Sequence, residues 1–300
     1  MIDLYKSLKP IKPDSGFKME GYYIWGGSAI KGDDGKYYLF ASRWPKNQPF
    51  PEGYMTHSEI VLATSSTPEG PYEFQKVVIG KREGDYFDSV MAHNPHIKKI
   101  GDTYYLFYIG SRDGKQESRA IGYAKSKNLI DFERMDEPLD LPPNANNPSV
   151  MVMRDGKILL VFRDGELKVT IAKTNRVEDG FKLLAYDIFD GQRMEDMYIF
   201  SYGSKLRMIA EDNVGAFTGS ERFGLQVVSN DIVNWEKADN VLAYDHTLKF
   251  TDGSEIKAER RERPQLLFDE VGRPTHLFTA VLYEGNTFNV VQPIEITQGE

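Results

Sequence analysis

Apolar residues run along this chain in short blocks of about five, broken by tight turns, and no stretch keeps the 3.6-residue period of an amphipathic helix. The blocks repeat as a unit: a turn-forming start, an apolar run, Asp-Gly or Gly-Asp, then a Tyr/Leu/Phe-rich run. Asn94-Pro95-His96-Ile97 leads through Gly101-Asp102 into Tyr104-Tyr105-Leu106-Phe107-Tyr108, and Asn147-Pro148-Ser149-Val150 leads through Asp155-Gly156 into Ile158-Leu159-Leu160-Val161-Phe162. Gly27-Ser28-Ala29-Ile30 and Arg263-Pro264-Gln265-Leu266 open similar copies, and Asp196-Met197-Tyr198-Ile199-Phe200 opens a weaker one. Asp-Gly between two β-rich runs is a strong hairpin signal. A third run follows in each copy, as in Ile60-Val61-Leu62-Ala63-Thr64-Ser65 or Ala120-Ile121-Gly122-Tyr123-Ala124.

Five copies of three or four short strands, spaced by about 50 to 67 residues, predict an all-β, five-bladed β-propeller. Blades are expected to start near residues 25, 92, 146, 195 and 262, within one domain over 1–300. A β-sandwich would not repeat whole three-strand units. Segments 43–59, 111–119 and 240–258 read as loops on one face.

Composition narrows the function. The net charge of −8 comes with no long run of Lys or Arg, which argues against nucleic acid or an anionic membrane as partner, because both need a concentrated basic face. A sugar fits better. The chain has no Cys, so disulfides, thiolate nucleophiles and Cys-based zinc sites are excluded. No window approaches the roughly 18 apolar residues of a membrane span. The first residues lack a basic region followed by an apolar stretch, so as written the chain carries no export signal; a trimmed one would read identically, and localisation stays open. Phosphate-cradling Gly-rich loops, Gly-x-Ser-x-Gly and His-Glu-x-x-His are all missing.

The starts Asn94-Pro95 and Asn147-Pro148, Glu195-Asp196, and the turns Ser65…Pro68-Glu69-Gly70-Pro71 and Asp231…Asn234-Trp235 give residues 20 to 295 a resemblance. The chain resembles the five-bladed propeller glycosidases around glycoside hydrolase families 43, 32 and 117. The resemblance implies a pocket at the channel mouth, where the innermost strands begin and their first residues converge. In family 43, Asp residues at such positions serve as general base and pKa modulator, and a Glu as general acid. Glycoside hydrolysis needs two such carboxyl groups. Here the mouth positions read Gly27, Asn94, Asn147, Asp196 and Arg263. The first blade offers Trp25-Gly26-Gly27-Ser28 where the family would place its base.

Asp196 or Glu195 is the expected acid, against the plainer account of a carboxylate capping a turn. Asp88, Glu59 or Glu262 would be the base; Asp88 equally suits a turn, and Glu262 an inter-blade ion pair. Arg263, His93, Asn94 and Asn147 would orient hydroxyls or a carboxylate of the sugar. Trp25 and Trp44 suit a stacking platform or the core. Arg43, His57 and Arg163 complete the expected pocket, with Glu211-Asp212 as weaker members. His93 near its ordinary pKa could act as acid or base, and structural hydrogen bonding is its alternative. His276 reads as a buried histidine, although some relatives hold a channel metal with a His and waters. No cofactor is required; a water-rich Ca²⁺ site in the channel stays open. The expected partner is an oligosaccharide bound by its end, with no nucleic acid or membrane, and a monomer or dimer is expected. A lyase or phosphorylase on the same pocket, and a sugar-binding propeller without turnover, are the rival functions.

Overall fold

Each predicted hairpin turn joins two antiparallel strands, and the strands meander outward from a central channel. The computed structural model describes residues 2–296. Blade 1 comprises β1 (Tyr22–Lys31), β2 (Tyr37–Pro45), β3 (Glu59–Ser65) and β4 (Glu73–Ile79); blade 2 comprises β5 (Met91–Ile100), β6 (Thr103–Ser111), β7 (Arg119–Ser126) and β8 (Glu133–Arg134). Blade 3 comprises β9 (Asn146–Val152), β10 (Ile158–Arg163), β11 (Val169–Thr174) and β12 (Lys182–Ala185); blade 4 comprises β13 (Met194–Tyr202), β14 (Lys205–Asp212), β15 (Phe223–Ser229) and β16 (Glu236–Tyr244). A small hairpin, β17 (Thr247–Lys249) and β18 (Glu255–Lys257), precedes blade 5, which comprises β19 (Arg260–Phe268), β20 (Pro274–Tyr283) and β21 (Asn286–Pro293). Segment 240–258 is therefore largely strand: its polar alternation hides the edge strand β16 and the hairpin. In 43–59, β2 continues to Pro45 and a short helix, α1 (Tyr54–His57), follows.

Five apolar clusters hold the blades together, one per interface. Phe40 and Leu62 pack on Ile97 and Leu106 between blades 1 and 2. Phe107 and Ile121 meet Leu160 and Phe162 between blades 2 and 3, and Val161 and Ile171 meet Ile199 and Met208 between 3 and 4. Ile209 and Tyr244 meet Leu266 and Leu277 between 4 and 5; Leu39 and Val61 meet Phe278 and Val291 to close the circle. Second strands of the blades such as β6 and β10 are covered on both faces, so they read as continuous apolar runs. Outer strands such as β4, exposed at four of its seven residues, read as polar.

Serines near the channel stitch neighbouring blades. Ser28 Oγ accepts from the Ile97 amide at 3.1 Å and Ser149 Oγ from the Ile199 amide at 3.0 Å. Blade 5 has three strands of its own, and the N-terminal segment supplies its outer edge. Phe17 and Asn289 exchange two backbone hydrogen bonds of 2.9 Å, and the Lys9 amide donates to Pro293.

Asp88, expected as a base, is instead an internal clamp. Its side chain is 0% exposed and lies among Arg82, Arg134 and Tyr108, away from the channel mouth. Arg82 Nη2 sits 2.7 Å from Oδ1, Arg134 Nη2 sits 2.7 Å from Oδ2, and the Tyr108 hydroxyl donates to Oδ2 at 2.6 Å. Two guanidiniums and a phenol saturate the carboxylate and pin segment 80–90 to blade 2. Removing one partner of such a buried set strands the others. Asp88→Ala is expected to cost about 3–5 kcal/mol, read as a lowered midpoint in urea unfolding.

Candidate active site

Every innermost strand carries a β-bulge at the same place, and every bulge holds one residue in the left-handed region: Gly26 at φ 51°, Asn94 at 52°, Asn147 at 54°, Asp196 at 56° and Arg263 at 58°. The mouth position of blade 1 is thus Gly26, one residue before the expected Gly27; with two adjacent glycines, the sequence does not mark which one takes the bulge. Asn and Asp tolerate this conformation well; for Arg263 it costs about 1–2 kcal/mol, which persists only because the side chain is locked.

The five residues form a ring with a fixed direction. Asp196 Oδ1 accepts from Asn147 Nδ2 at 2.8 Å and from Arg263 Nη1 at 3.0 Å, and its Oδ2 accepts from the Arg263 amide at 3.1 Å. Asn147 Oδ1 is therefore the acceptor for Asn94 Nδ2, at 2.9 Å, and Asn94 Oδ1 points onward to Gly26. A Cβ on Gly26 would lie 3.1 Å from Asn94 Oδ1 and 3.3 Å from Arg263 Nε. The missing first-blade carboxylate has a steric reason: its place is taken by the Arg263 side chain and the Asn94 amide.

Above this floor opens a cavity of about 570 Å³, lined among others by Trp25, Trp44, Phe50, Tyr54, His93, Asn94, Arg119, Asn147, Arg163, Glu195, Asp196, Arg260, Glu262 and Arg263. Trp44 is 1% exposed; it stacks on Phe50 at 5.7 Å and meets Tyr54 and His93 edge-on, so it supports the wall. Half-buried Phe50 and Tyr54, from the 46–57 segment, carry more of the open aromatic face. Arg260 lies over Trp25 at 5.4 Å.

His93 stacks on Tyr54 at 4.4 Å. Ser58 Oγ donates to the Ala92 carbonyl at 2.9 Å, so it accepts from His93 Nδ1 at 2.8 Å. The hydrogen-bond network assigns the tautomer: Nδ1 carries the proton and Nε2 is a bare acceptor. Burial, and then the charges of Arg263 and Arg119, push the His93 pKa well below its usual value. The lowered proton affinity favours the neutral ring, with Nε2 free to accept.

Glu195 pairs with Arg163 and accepts from Asn213 Nδ2 at 3.0 Å. Glu262 accepts from Arg260 Nη2 at 2.9 Å, and Arg222 Nη1 sits 3.0 Å from both Glu262 and Glu211. Glu211, 0% exposed, completes a triad whose oxygens, one each from Asp196, Glu211 and Glu262, lie within 4.8 Å of one another. Three guanidiniums, of Arg222, Arg260 and Arg263, are already bonded to these three acids, so the set does not fit a cation. Burial raises the Glu211 pKa far above the carboxylate range, reinforced by the charges of Glu262, Asp196 and Glu195. Burial also raises that of Glu262; Arg260 opposes the shift and Asp196 adds to it.

Other expected residues lie elsewhere. Arg43 and Glu59 pair with each other at 2.8 Å, with Arg43 stacked on Tyr22 and Phe74; their side chains satisfy one another within blade 1. His57 is half-buried on α1 and bonds to Thr56 Oγ1 at 2.8 Å, while its neighbours Met55 and Thr56 reach the cavity. Asp212 accepts from the Phe217 and Thr218 amides and shapes the following turn. His276 lies on β20 beside Thr275 and 4.0 Å from Glu69. The channel histidine is His96, bonded to Gln265 Oε1 and to the Val150 amide, each at 3.1 Å; burial lowers its pKa to about 3. Both its nitrogens are occupied by the protein, which leaves none for a metal.

The chain superposes on a thermostable family-43 glycoside hydrolase with a TM-score of 0.70 at 12% identity, covering 97% of this chain and 95% of the other. It has the propeller fold of a glycoside hydrolase. In sequence, it is 34% identical over 103 residues to a probable arabinan endo-1,5-α-L-arabinosidase A of Aspergillus flavus, covering 34% of this chain and 28% of the relative. It is 39% identical over 70 residues to a 1,2-β-oligomannan phosphorylase of a Thermoanaerobacter species, 23% of each. The matched segments thus span about a quarter of those relatives. No protein-family model matches the chain.

The triad gives a pH prediction. A carboxyl whose folded pKa is raised binds its proton more tightly in the folded state, so its contribution is present below the unfolded value and is lost as pH rises through the folded one. Glu211→Gln is expected to leave thermal stability unchanged near pH 4 and to raise it at pH 8, measured as the difference in Tm from the parent at each pH.

Proposed function

We propose that the chain cleaves a glycosidic bond at the end of an oligosaccharide seated in this cavity. The observation that carries the reading is Glu262, a cavity-wall carboxyl whose proton affinity is raised by burial, sharing the site with Glu195 held by Arg163 and Asn213. A carboxyl with raised pKa is suited to protonate a leaving oxygen near neutral pH. Glu262 would give its proton to the glycosidic oxygen as the bond to the anomeric carbon breaks. Water would add to that carbon and pass a proton to Glu195, and solvent exchange would restore both groups.

Asp196 has a different part in this reading. With two hydrogen bonds from the Arg263 guanidinium and amide and one from Asn147, it sets the polarity of the floor, where Asn94, Asn147 and Arg263 meet sugar hydroxyls. The five-residue floor supports binding of a chain end, since it closes the cavity towards the channel. His93 Nε2 would accept from a hydroxyl, and Phe50 and Tyr54 would stack on the ring. The glycine at the first-blade position favours a second reading, sugar binding without turnover.

The test is an oligosaccharide panel read by mass spectrometry, followed by single variants on the substrate found. Glu262→Gln and Glu195→Gln are each expected to lower kcat by about 10²- to 10⁴-fold with little change in binding. Full turnover in both variants would discard the assignment, and unchanged sugars bound by the parent would leave the second reading.

A further inference from the structure

Among the four arginines that line the cavity, three are bonded to acidic side chains. Arg163 pairs with Glu195, Arg260 with Glu262 and Arg263 with Asp196. Arg119, the first residue of β7, is different. Its Nε donates to Asn144 Oδ1 at 2.9 Å and to the Gln116 carbonyl at 3.2 Å, and its Nη1 lies 3.4 Å from the Tyr54 hydroxyl. All three partners are neutral, and among the described residues no carboxylate lies within ion-pair distance. Glu52, on the same rim, is exposed and makes no ion pair with it.

Such a guanidinium is fixed but uncompensated. Asn144 and Gln116 hold its Nε edge, which leaves the Nη2 end unbonded within the protein at the cavity wall. The adjacent His93 is uncharged and offers Nε2 as an acceptor, so this wall presents one positive fork beside one neutral acceptor. A guanidinium fork matches the paired oxygens of a carboxylate or phosphate.

We infer that Arg119 is an anion anchor and that the ligand of this cavity brings an anionic oxygen pair to it. This inference rests on the cavity being the carbohydrate site and deepens it. The shared chemistry has two sources: a sugar acid carries its own carboxylate, whereas inorganic phosphate would arrive as a second substrate. For the phosphate case, an oxygen of phosphate replaces water in attack on the anomeric carbon as the glycosidic bond breaks, giving a sugar phosphate, while Glu262 protonates the leaving oxygen.

The experiment titrates the full chain with inorganic phosphate, D-glucuronate and D-glucose by ligand-observed NMR, in the parent and in Arg119→Met, with unfolding curves to show that the variant folds. At least one anion is expected to bind the parent and to lose about tenfold or more in Kd in the variant, with glucose unaffected. A response to glucuronate identifies a sugar acid, and a response to phosphate identifies phosphate. Arg119→Lys keeps the charge without the fork and is expected to weaken glucuronate several-fold, which keeps the inference testable if the methionine variant unfolds. Failure of both anions to bind the parent, or undiminished binding in the folded variants, overturns it. Turnover in the Glu262 and Glu195 variants is read separately, so failure of that chemistry and failure of this anchor are distinguishable.

Discussion

The ion pair between Asp196 and Arg263 organises everything above the channel. Asp196 accepts both the guanidinium and the amide of Arg263, which joins blade 4 to blade 5 at the crowded centre, where five bulged strands meet. Its charge also dictates which way the two asparagine amides turn, so one buried carboxylate sets donors and acceptors across three blades. Arg263 in turn fills the space beside Gly26. A carboxylate in blade 1 and this arginine in blade 5 would compete for the same volume, and the chain has kept the arginine.

Much of the fold was legible because strand repetition is a local signal. Asp-Gly turns and apolar runs lie side by side in sequence, so a propeller of repeated hairpins can be read from the residues. The bulge position was not legible in blade 1, where no pattern of polar and apolar positions distinguishes Gly26 from Gly27. Strand β16 was hidden because an outer edge buries little and reads like a loop.

The candidate site was only half legible, for a related reason. Glu195, Asp196, Glu262, Arg263, Asn94, Asn147, His93, Arg163 and both tryptophans reach the cavity. Asp88, Arg43 and Glu59 do not, since each found an oppositely charged neighbour that sequence separation conceals. Phe50, Tyr54 and Arg119 were missed. Phe50 and Tyr54 sit in a connection with no period, and Arg119 opens a third strand, away from the positions that converge by symmetry. The pairing of charges bears on the acids too: Asp196 accepts three hydrogen bonds from Asn147 and Arg263, whereas burial raises the proton affinity of Glu262.

The N-terminal segment on the edge of β21 bears on how the site comes into being. The floor needs Gly26 from the first blade against Arg263 from the last, and that junction is sealed by Phe17 pairing with Asn289. Four blades alone would hold the Asn94–Asn147–Asp196 part of the floor and lack the Arg263 that closes it against Gly26. The floor is completed only where the two ends of the ring meet, at the contact of Gly26 with Arg263.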